Sequence, residues 1–327
     1  MHGALGKPLA PATLHPAYVA ADASRNAALE PVYLAFEKHG ERWLHSLHVA
    51  RIAGTDLRDA SSPYGYGGPL SSTDDPRFIA QAWQAYAHWM TSQRVVVEYV
   101  RFHPALGNER YYGGTVSDNR TVVWMDLQTQ DIATAYATRL RQSLKKASGA
   151  GLVYRECPLA SRVREFGAFY RSGMAQIGAD PFFFFDDAYF ALLADSGLAS
   201  LGICQHRDDS EGRWLAASLF LDGQGLREYH LSATNAQGRG LAAPSFVLHE
   251  AALSARRLGL RRLYLGGGSD VRPDNPLLFF KSAFSTERLC YRTGSAVFRS
   301  SDYAALQQRF APEWKAHPER PIFYRKV

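Results

Sequence analysis

Asn235-Ala236-Gln237-Gly238-Arg239-Gly240-Leu241-Ala242 lies between a strand-like and a helix-like segment and is built mostly of small or polar residues. Small side chains let main-chain N–H groups approach an anion, and a following helix adds the positive end of its dipole. Phosphate binding is the chemistry such a loop serves, with Gln237, Gly238, Arg239, Gly240 and Ala242 as candidate contacts; a flexible polar loop is the structural alternative. Arg139, Arg141, Lys145 and Lys146 form a basic cluster that could hold RNA phosphates, and Arg256, Arg257, Arg261 and Arg262 form a second. Cations also collect at helix C-termini for dipole reasons, so a purely structural role stays open for both. Other chemistries lack their residues. Gly266-Gly267-Gly268 does not have G-x-G-x-x-G spacing, and no P-loop lysine motif occurs. His249-Glu250 opens like a zinc-protease helix, but Leu253 stands where the second histidine belongs. His45 and His48 would face opposite sides of a strand, which argues against a shared metal. Cys157, Cys204 and Cys290 form no C-x-x-C pair, which argues against a disulfide framework or a cysteine zinc site.

The elements around these residues can be read from periodicity. Leu248, Ala251, Ala252, Ala255 and Leu258 make one apolar stripe, predicting a helix over 246–258, with Pro244 in its first turn, Arg256 and Arg257 in its last, and Gly259 at its stop. Strands are predicted at 226–233 and 260–265, so the whole reads as a βαβ unit with a parallel neighbour in a mixed sheet. Helices are also predicted at 78–94, 132–147, 163–178 and 187–194, and a strand at 95–102. A faint duplication runs through the chain. Gly40-Glu41-Arg42-Trp43-Leu44 resembles Glu211-Gly212-Arg213-Trp214-Leu215, the tryptophans lie 171 positions apart, and the phenylalanines that open the two helices, Phe78 and Phe246, lie 168 apart. Two copies of one βα module would produce that offset.

At 327 residues the chain has room for two domains, and its 46% hydrophobic and 21% charged content suits a full core. Gly149 and Gly151 place a junction near 150, giving an N-terminal extension over 1–17, a first domain over 18–150 and a second over 151–327. Order is expected throughout, apart from the first 15 or so residues. No apolar core of a secretory signal stands at the N-terminus and no long apolar run spans a membrane, so the cytosol is the expected compartment. Phe182-Phe183-Phe184-Phe185, enclosed by Asp180, Asp186 and Asp187, is expected to be a buried segment. The net charge of +6 is compatible with an anionic partner.

Longer motifs bring a family into view. Tyr229-His230-Leu231-Ser232-Ala233-Thr234, then a helix, then Tyr264-Leu265-Gly266-Gly267-Gly268, then Leu278-Phe279-Phe280-Lys281-Ser282-Ala283-Phe284 resembles the second GNAT domain of the Fem family of peptidoglycan-bridge aminoacyltransferases, in which a glycine-rich strand end precedes an F-K-x-x-F segment. Ser62-Pro63-Tyr64-Gly65-Tyr66-Gly67-Gly68-Pro69 is similar to that family's G-P loop, although Gly-Gly-Pro stands where bridge-forming members often have Arg-Gly-Pro. Arg141-Gln142-Ser143-Leu144-Lys145-Lys146-Ala147 resembles its basic helix end, and Gln237-x-x-Gly240-x-Ala242 fits the Q/R-x-x-G-x-G/A pattern with which GNAT acetyltransferases hold the coenzyme A pyrophosphate.

The resemblance, from about residue 18 to 300, implies an α/β (α+β) fold of two GNAT-like domains, each a mixed, mostly antiparallel twisted sheet flanked by helices. It implies acyl transfer, in which an amine attacks an activated carbonyl through a tetrahedral oxyanion that must be aligned and stabilised. Lys281 is then the candidate cation, for the oxyanion or for a substrate phosphate; a lysine snorkelling from the apolar run 277–284 is the alternative. His230 is the candidate general base, with alternation placing it beside Glu228 and Ser232 on one face; a structural histidine is the alternative. Tyr66, Gly67, Asp270, Asp274 and Phe284 are the substrate-binding candidates, though Asp270 and Asp274 could equally cap a turn. The first function implied is aminoacyl transfer from aminoacyl-tRNA to an amine of a lipid-linked cell-envelope precursor or a small metabolite. The second is acyl-CoA-dependent N-acylation, and the third a non-catalytic GNAT-like binding module. No tightly bound cofactor, metal, DNA partner or membrane insertion is implied.

Overall fold

A computed structural model of the chain describes residues 9–272 and 274–325, which divide by their contacts into two compact units. Of the described residues, unit 1 takes Thr13–Arg120 and those from Cys290 on; unit 2 takes those within Thr121–Leu289 together with the strip 9–12. The chain therefore leaves unit 1, builds unit 2 and returns, instead of dividing once near 150. The reason lies in the helix before Gly149. Its apolar residues Leu140 and Ala147, with Tyr136 ahead of it, pack into the core formed by Phe246, Leu248 and Ala251 of unit 2. Part of the expected N-terminal extension, residues 1–8, lies outside the described residues. The part that follows is packed: Ala10 exchanges backbone hydrogen bonds with Gln224 at 3.0 and 2.9 Å, and Ala12 and Leu14 are buried.

Unit 1 begins with α1 (Pro16–Ala23), β1 (Leu29–Lys38), β2 (Glu41–Arg51), β3 (Arg58–Ser61), β4 (Leu70–Ser71), α2 (Pro76–Ser92), β5 (Val95–Arg101) and the first half of β6 (Thr115–Asp126). β1 and β2 form an antiparallel hairpin whose turn residues His39 and Gly40 both have positive φ. β3 is antiparallel to β2, and β5 is parallel to β3 through the α2 crossover. α2 starts where Asp75 accepts from the amide of Arg77 with Pro76 in the first turn, and it buries Phe78, Ala82, Tyr86 and Met90 against Trp43, Leu47 and Val95.

Unit 2 holds α3 (Thr138–Gly149), β7 (Leu152–Pro158), α4 (Val163–Gln176), α5 (Asp187–Asp195), β8 (Ala199–His206), β9 (Trp214–Gly223), β10 (Leu226–Thr234), α6 (Ala236–Gly240), α7 (Ala243–Arg257), β11 (Arg262–Gly267) and α8 (Pro276–Lys281). β7 to β10 form an antiparallel meander, β11 is parallel to β10 through α7, and the second half of β6 closes the unit antiparallel to β11. β12 (Arg288–Val297) returns to unit 1 antiparallel to β5, followed by α9 (Ser300–Arg309) and α10 (Ala311–Ala316).

The duplication is visible in this order. β1-β2-β3-α2-β5 and β8-β9-β10-α7-β11 have the same strand senses and the same crossover, with Trp43 and Trp214 on the two middle strands. The phenylalanine run departs from expectation. Phe185 is buried against Tyr189 and Phe190, but Phe183 and Phe184 are exposed, because the run is a surface crossing between α4 and α5 that begins as a 3-10 turn. No described helix is long and apolar enough to cross a membrane.

Candidate functional site

Parallel strands β10 and β11 are hydrogen-bond neighbours only from Leu226↔Arg262 to Glu228↔Tyr264. β10 then continues to Thr234 and β11 to Gly267 without pairing to each other, and each has an irregularity just past the last pair: β10 between Tyr229 and Leu231, β11 between Tyr264 and Gly266. The strands part and leave backbone groups that need other partners. The equivalent pair in unit 1 stays closed, since Ser62 donates to Tyr99 O at 3.0 Å and Gly67 to Arg101 O at 2.7 Å beyond the end of β3. The cleft opens in unit 2.

Lys281 stands where β10 and β11 separate. Its Nζ donates to the Gly267 carbonyl at 2.8 Å and lies 5.7 Å from the centroid of the Tyr229 ring; the side chain is 7% exposed. Burial pushes its pKa down from 10.5 to about 7, because no carboxylate accompanies it among the described residues. The loop that delivers it is tightly held. Asn275 caps α8 by accepting from Leu277 and Leu278 N at 3.0 and 3.2 Å, and its amide donates to Ser269 Oγ at 2.8 Å. A Cβ on Gly268 would sit 2.6 Å from Asn275 Cγ, so this close approach requires glycine. Tyr229 donates to Ser232 Oγ, putting hydroxyls beside the ammonium. Neither Tyr229 nor the Gly267 carbonyl was legible as a partner of Lys281, since a strand pattern does not show which backbone oxygens are left over.

His230 is the bulged residue of β10, and the bulge alters its neighbours. Arg227 and Tyr229 point toward α7 and Phe220, whereas His230 is hydrogen-bonded through Nε2 to the Tyr189 hydroxyl of α5 at 2.6 Å and lies beside Phe185. Beyond the extra residue the alternation restarts, so Ser232 joins Tyr229 while Ala233 meets Gly173 of α4. The expected face of Glu228, His230 and Ser232 is corrected: Ser232 is on the other side, because one inserted residue reverses everything after it. Lys281 and His230 consequently approach β10 from opposite faces.

Residues 236–240 form helix α6 rather than an open loop. Asn235 Oδ1 accepts from Gly238 N at 2.7 Å, Arg239 N donates to Asn235 O at 3.1 Å, Leu241 N to Gln237 O at 3.1 Å and Ala242 N to Arg239 O at 3.3 Å. Those amides are occupied, so they do not form the row of donors that a pyrophosphate needs. Gln237, Arg239 and Gly240 are exposed and Ala242 adopts φ 58° at the entry to α7. Gly238 is buried, and a Cβ there would fall 2.1 Å from Leu215 O. Gly238→Ala should therefore destabilise the protein by about 1–3 kcal/mol through forced displacement of α6, read as a lower denaturation midpoint in urea; an unchanged midpoint would refute this packing.

Phe284 is corrected from substrate contact to core. It is 1% exposed and packs edge-on against Tyr136 and Phe280. Asp270 pairs with Arg272 at 3.0 Å, whose hydrogen bond holds its carboxyl down to about 2, while Asp274 is exposed in the turn before Asn275. Arg139 donates to Phe279 O at 2.8 Å and lies 3.8 Å from the centroid of that ring; Arg141 is tied to Tyr136 O. Lys145 and Lys146 are exposed on α3. Tyr66 and Gly67 lie in unit 1, Gly67 buried with its carbonyl accepting from Asn108 at 3.0 Å, Tyr66 half-buried and edge-on to His103.

Two units of one topology, each an antiparallel meander completed by a parallel crossover and a further antiparallel strand, define a tandem GNAT fold of the Fem type. Solved structures share it. FemX superposes with a TM-score of 0.68 at 12% identity, covering 89% of this chain and 93% of that one. The C-terminal domain of a protein assigned as a lysylphosphatidylglycerol synthetase from Agrobacterium fabrum gives 0.57 at 15% identity over 94% of each chain. L-PGS from Bacillus licheniformis gives 0.53 at 14% identity over 80% of this chain and 83% of that one. At these identities the likeness is one of fold. No family model matches the sequence, and no curated protein matches it.

Proposed function

We propose that this chain is an acyltransferase that moves an aminoacyl group from aminoacyl-tRNA to an amine of a cell-envelope precursor or small metabolite. The observation that carries the reading is a buried lysine with no acidic partner among the described residues, held where β10 and β11 part. In the reaction the amine nitrogen attacks the ester carbonyl, the C–N bond forms, the C–O bond to the tRNA ribose breaks, and the proton lost by the amine is balanced by one gained by the ribose hydroxyl. Lys281 as a cation stabilises the intermediate oxyanion. His230, held beside Tyr189 on the face of β10 away from Lys281, is left out of the reacting groups. The exposed Lys145 and Lys146 suit tRNA phosphates better than Arg139 and Arg141, whose guanidinia bind local carbonyls.

The internally bonded amides of α6 weigh against acyl-CoA as donor. Aminoacyl-tRNA should bind with a steep salt dependence that flattens in Lys145→Ala/Lys146→Ala, while acetyl-CoA should leave the melting temperature unchanged. A saturable rise with acetyl-CoA that is abolished in Gln237→Ala/Arg239→Ala would replace this donor with the thioester.

A further inference from the structure

The structure assigns a nucleobase-stacking site to the outer side of α8 in unit 2. Phe279 and Arg139 form its platform, and Lys146 meets the phosphate that the base carries. Only the attribution of that nucleotide to the acyl donor rests on the acyl-transfer reading. α8 is anchored without Phe279: Leu278 and Phe280 pack against the core of unit 2 and Lys281 is buried, whereas Phe279 is 61% exposed. Residues two apart on a helix point about 200° from one another, so Phe279 faces outward where Lys281 faces the cleft.

α3 supplies the rest. Its start is tied to the segment after α8, since Ala137 N donates to Ala283 O at 2.9 Å. Arg139 donates to Phe279 O at 2.8 Å, and its guanidinium lies over the Phe279 ring, 3.8 Å from the centroid. A ring with a planar guanidinium on one side and solvent around the remainder is a surface that a base extends, because bases stack on aromatic rings and on arginine planes alike. The charge of α3 points the same way. Its 12 residues hold Arg139, Arg141, Lys145 and Lys146 and no acid. The helix dipole accounts for cations in a last turn, but Arg139 and Arg141 stand in the first, at its positive end. The two arginines bond only to the neutral oxygens of Phe279, Tyr136 and Thr138, and no carboxylate pairs with any of the four cations among the described residues. Arg139, Gln142 and Lys146, all exposed, follow at i, i+3 and i+7 along one face, which puts Lys146 about 10 Å along the axis from Arg139. Uncompensated cations in line with an exposed aromatic ring favour a base on a phosphate backbone over a protein partner: the ring takes the base and the ammonium takes the phosphate.

The test uses the full chain and three probes: a single-stranded RNA hexamer ending in CCA, an abasic ribose-phosphate hexamer of the same charge, and adenosine 3′,5′-bisphosphate as competitor. Binding is followed by fluorescence anisotropy across a range of salt concentrations. The RNA should bind about 5–150-fold more tightly than the abasic strand, the effect of one stacked base. Phe279→Ala should remove that difference and leave the salt slope unchanged. Lys146→Ala should keep the difference and flatten the slope by about 0.7, the value of one single-strand phosphate contact. Phe279→Trp should retain tight binding, with the fluorescence of its indole quenched as the base stacks. Because position 279 is exposed, both of its variants should melt with the parent. Competition by the bisphosphate as strong as that of the hexamer names a mononucleotide end, such as that of an acyl-CoA, as the source of the base; competition by the hexamer alone names single-stranded RNA. Equal affinity for the RNA and the abasic strand, no binding of any probe, or an undiminished base preference in Phe279→Ala overturns the site. Absence of aminoacyl transfer would leave these binding results standing, and their failure would leave the Lys281 cleft untouched.

Discussion

Replacing Lys281 with methionine should make the protein more stable at pH 7 and at the same time nearly inactive. The ammonium sits where burial lowers its pKa from 10.5 to about 7, and the unfolded chain would hold the proton up to the usual lysine range. Between those values the unfolded state binds more protons, so stability rises with pH across the window; at pH 7 and below the fold carries the full cost of the buried charge, a few kcal/mol. Methionine removes that cost but leaves the Gly267 carbonyl without its donor, which takes back about 1–3 kcal/mol. The net gain should be about 1–3 kcal/mol at pH 7, shrinking as pH rises toward 10.5 and reversing only when the lysine of the unfolded chain is neutral as well. The proposed transfer should fall about 100–1000-fold, the usual effect of losing one oxyanion donor, which is the role the proposal gives Lys281. Under the proposed acyl transfer, the parent's kcat/KM should decline as pH rises through the Lys281 pKa, since the cation is the form assigned to the oxyanion. Methionine that lowers the melting temperature across the whole pH range would make Lys281 a structural residue. A rate that climbs with pH instead would make it a base.

Arg227→Leu should produce a loss of about 3–5 kcal/mol, as expected when one partner leaves a buried ionic cluster. The guanidinium is fully buried and bonded to Glu156 of β7 and Asp222 of β9 at 2.7 Å each, with Ala251 O of α7 at 3.2 Å, so one side chain ties three strands to a helix. Burial alone would raise the Glu156 pKa, but the hydrogen bonds and charge of Arg227 outweigh it and leave the pKa below the usual value of 4.5. That depressed carboxyl contributes stability above pH 4.5 and loses it as pH falls through the folded-state value. The leucine variant should lack this acid limb, and adding Glu156→Gln with Asp222→Asn should recover part of the loss. Urea denaturation at pH 7 and pH 4 measures both effects. A loss below about 1 kcal/mol would show that water already screens the cluster.

The helices were legible wherever an apolar stripe met strong end signals. α7 runs Ala243–Arg257, where Leu248, Ala251, Ala252 and Ala255 predicted it, and α2 likewise buries the spaced positions Phe78, Ala82, Tyr86 and Met90. The repeat was legible because Trp43 and Trp214 fill equivalent central strands. The predicted helix over 132–147 is split, a 3-10 turn at Ile132–Ala135 and then α3, since Tyr136 turns to extended backbone before Ala137 bonds to Ala283. α6 was read as a loop because two glycines mask a helix whose first turn depends on the Asn235 cap.

Within the candidate site, the sequence by itself determined the order of elements and the βαβ unit between β10 and β11, while Lys281 was singled out by the resemblance of its F-K-x-x-F segment. These follow from local periodicity, capping residues and motif spacing, all carried by neighbours along the chain. Tertiary structure alone decided that β10 bulges at His230, that Lys281 finds Gly267 and Tyr229, that Phe284 is core, and that residues beyond 289 complete the sheet begun by the first hundred. Each depends on pairing between distant strands, and a single inserted residue in such a ladder changes which face every later side chain occupies.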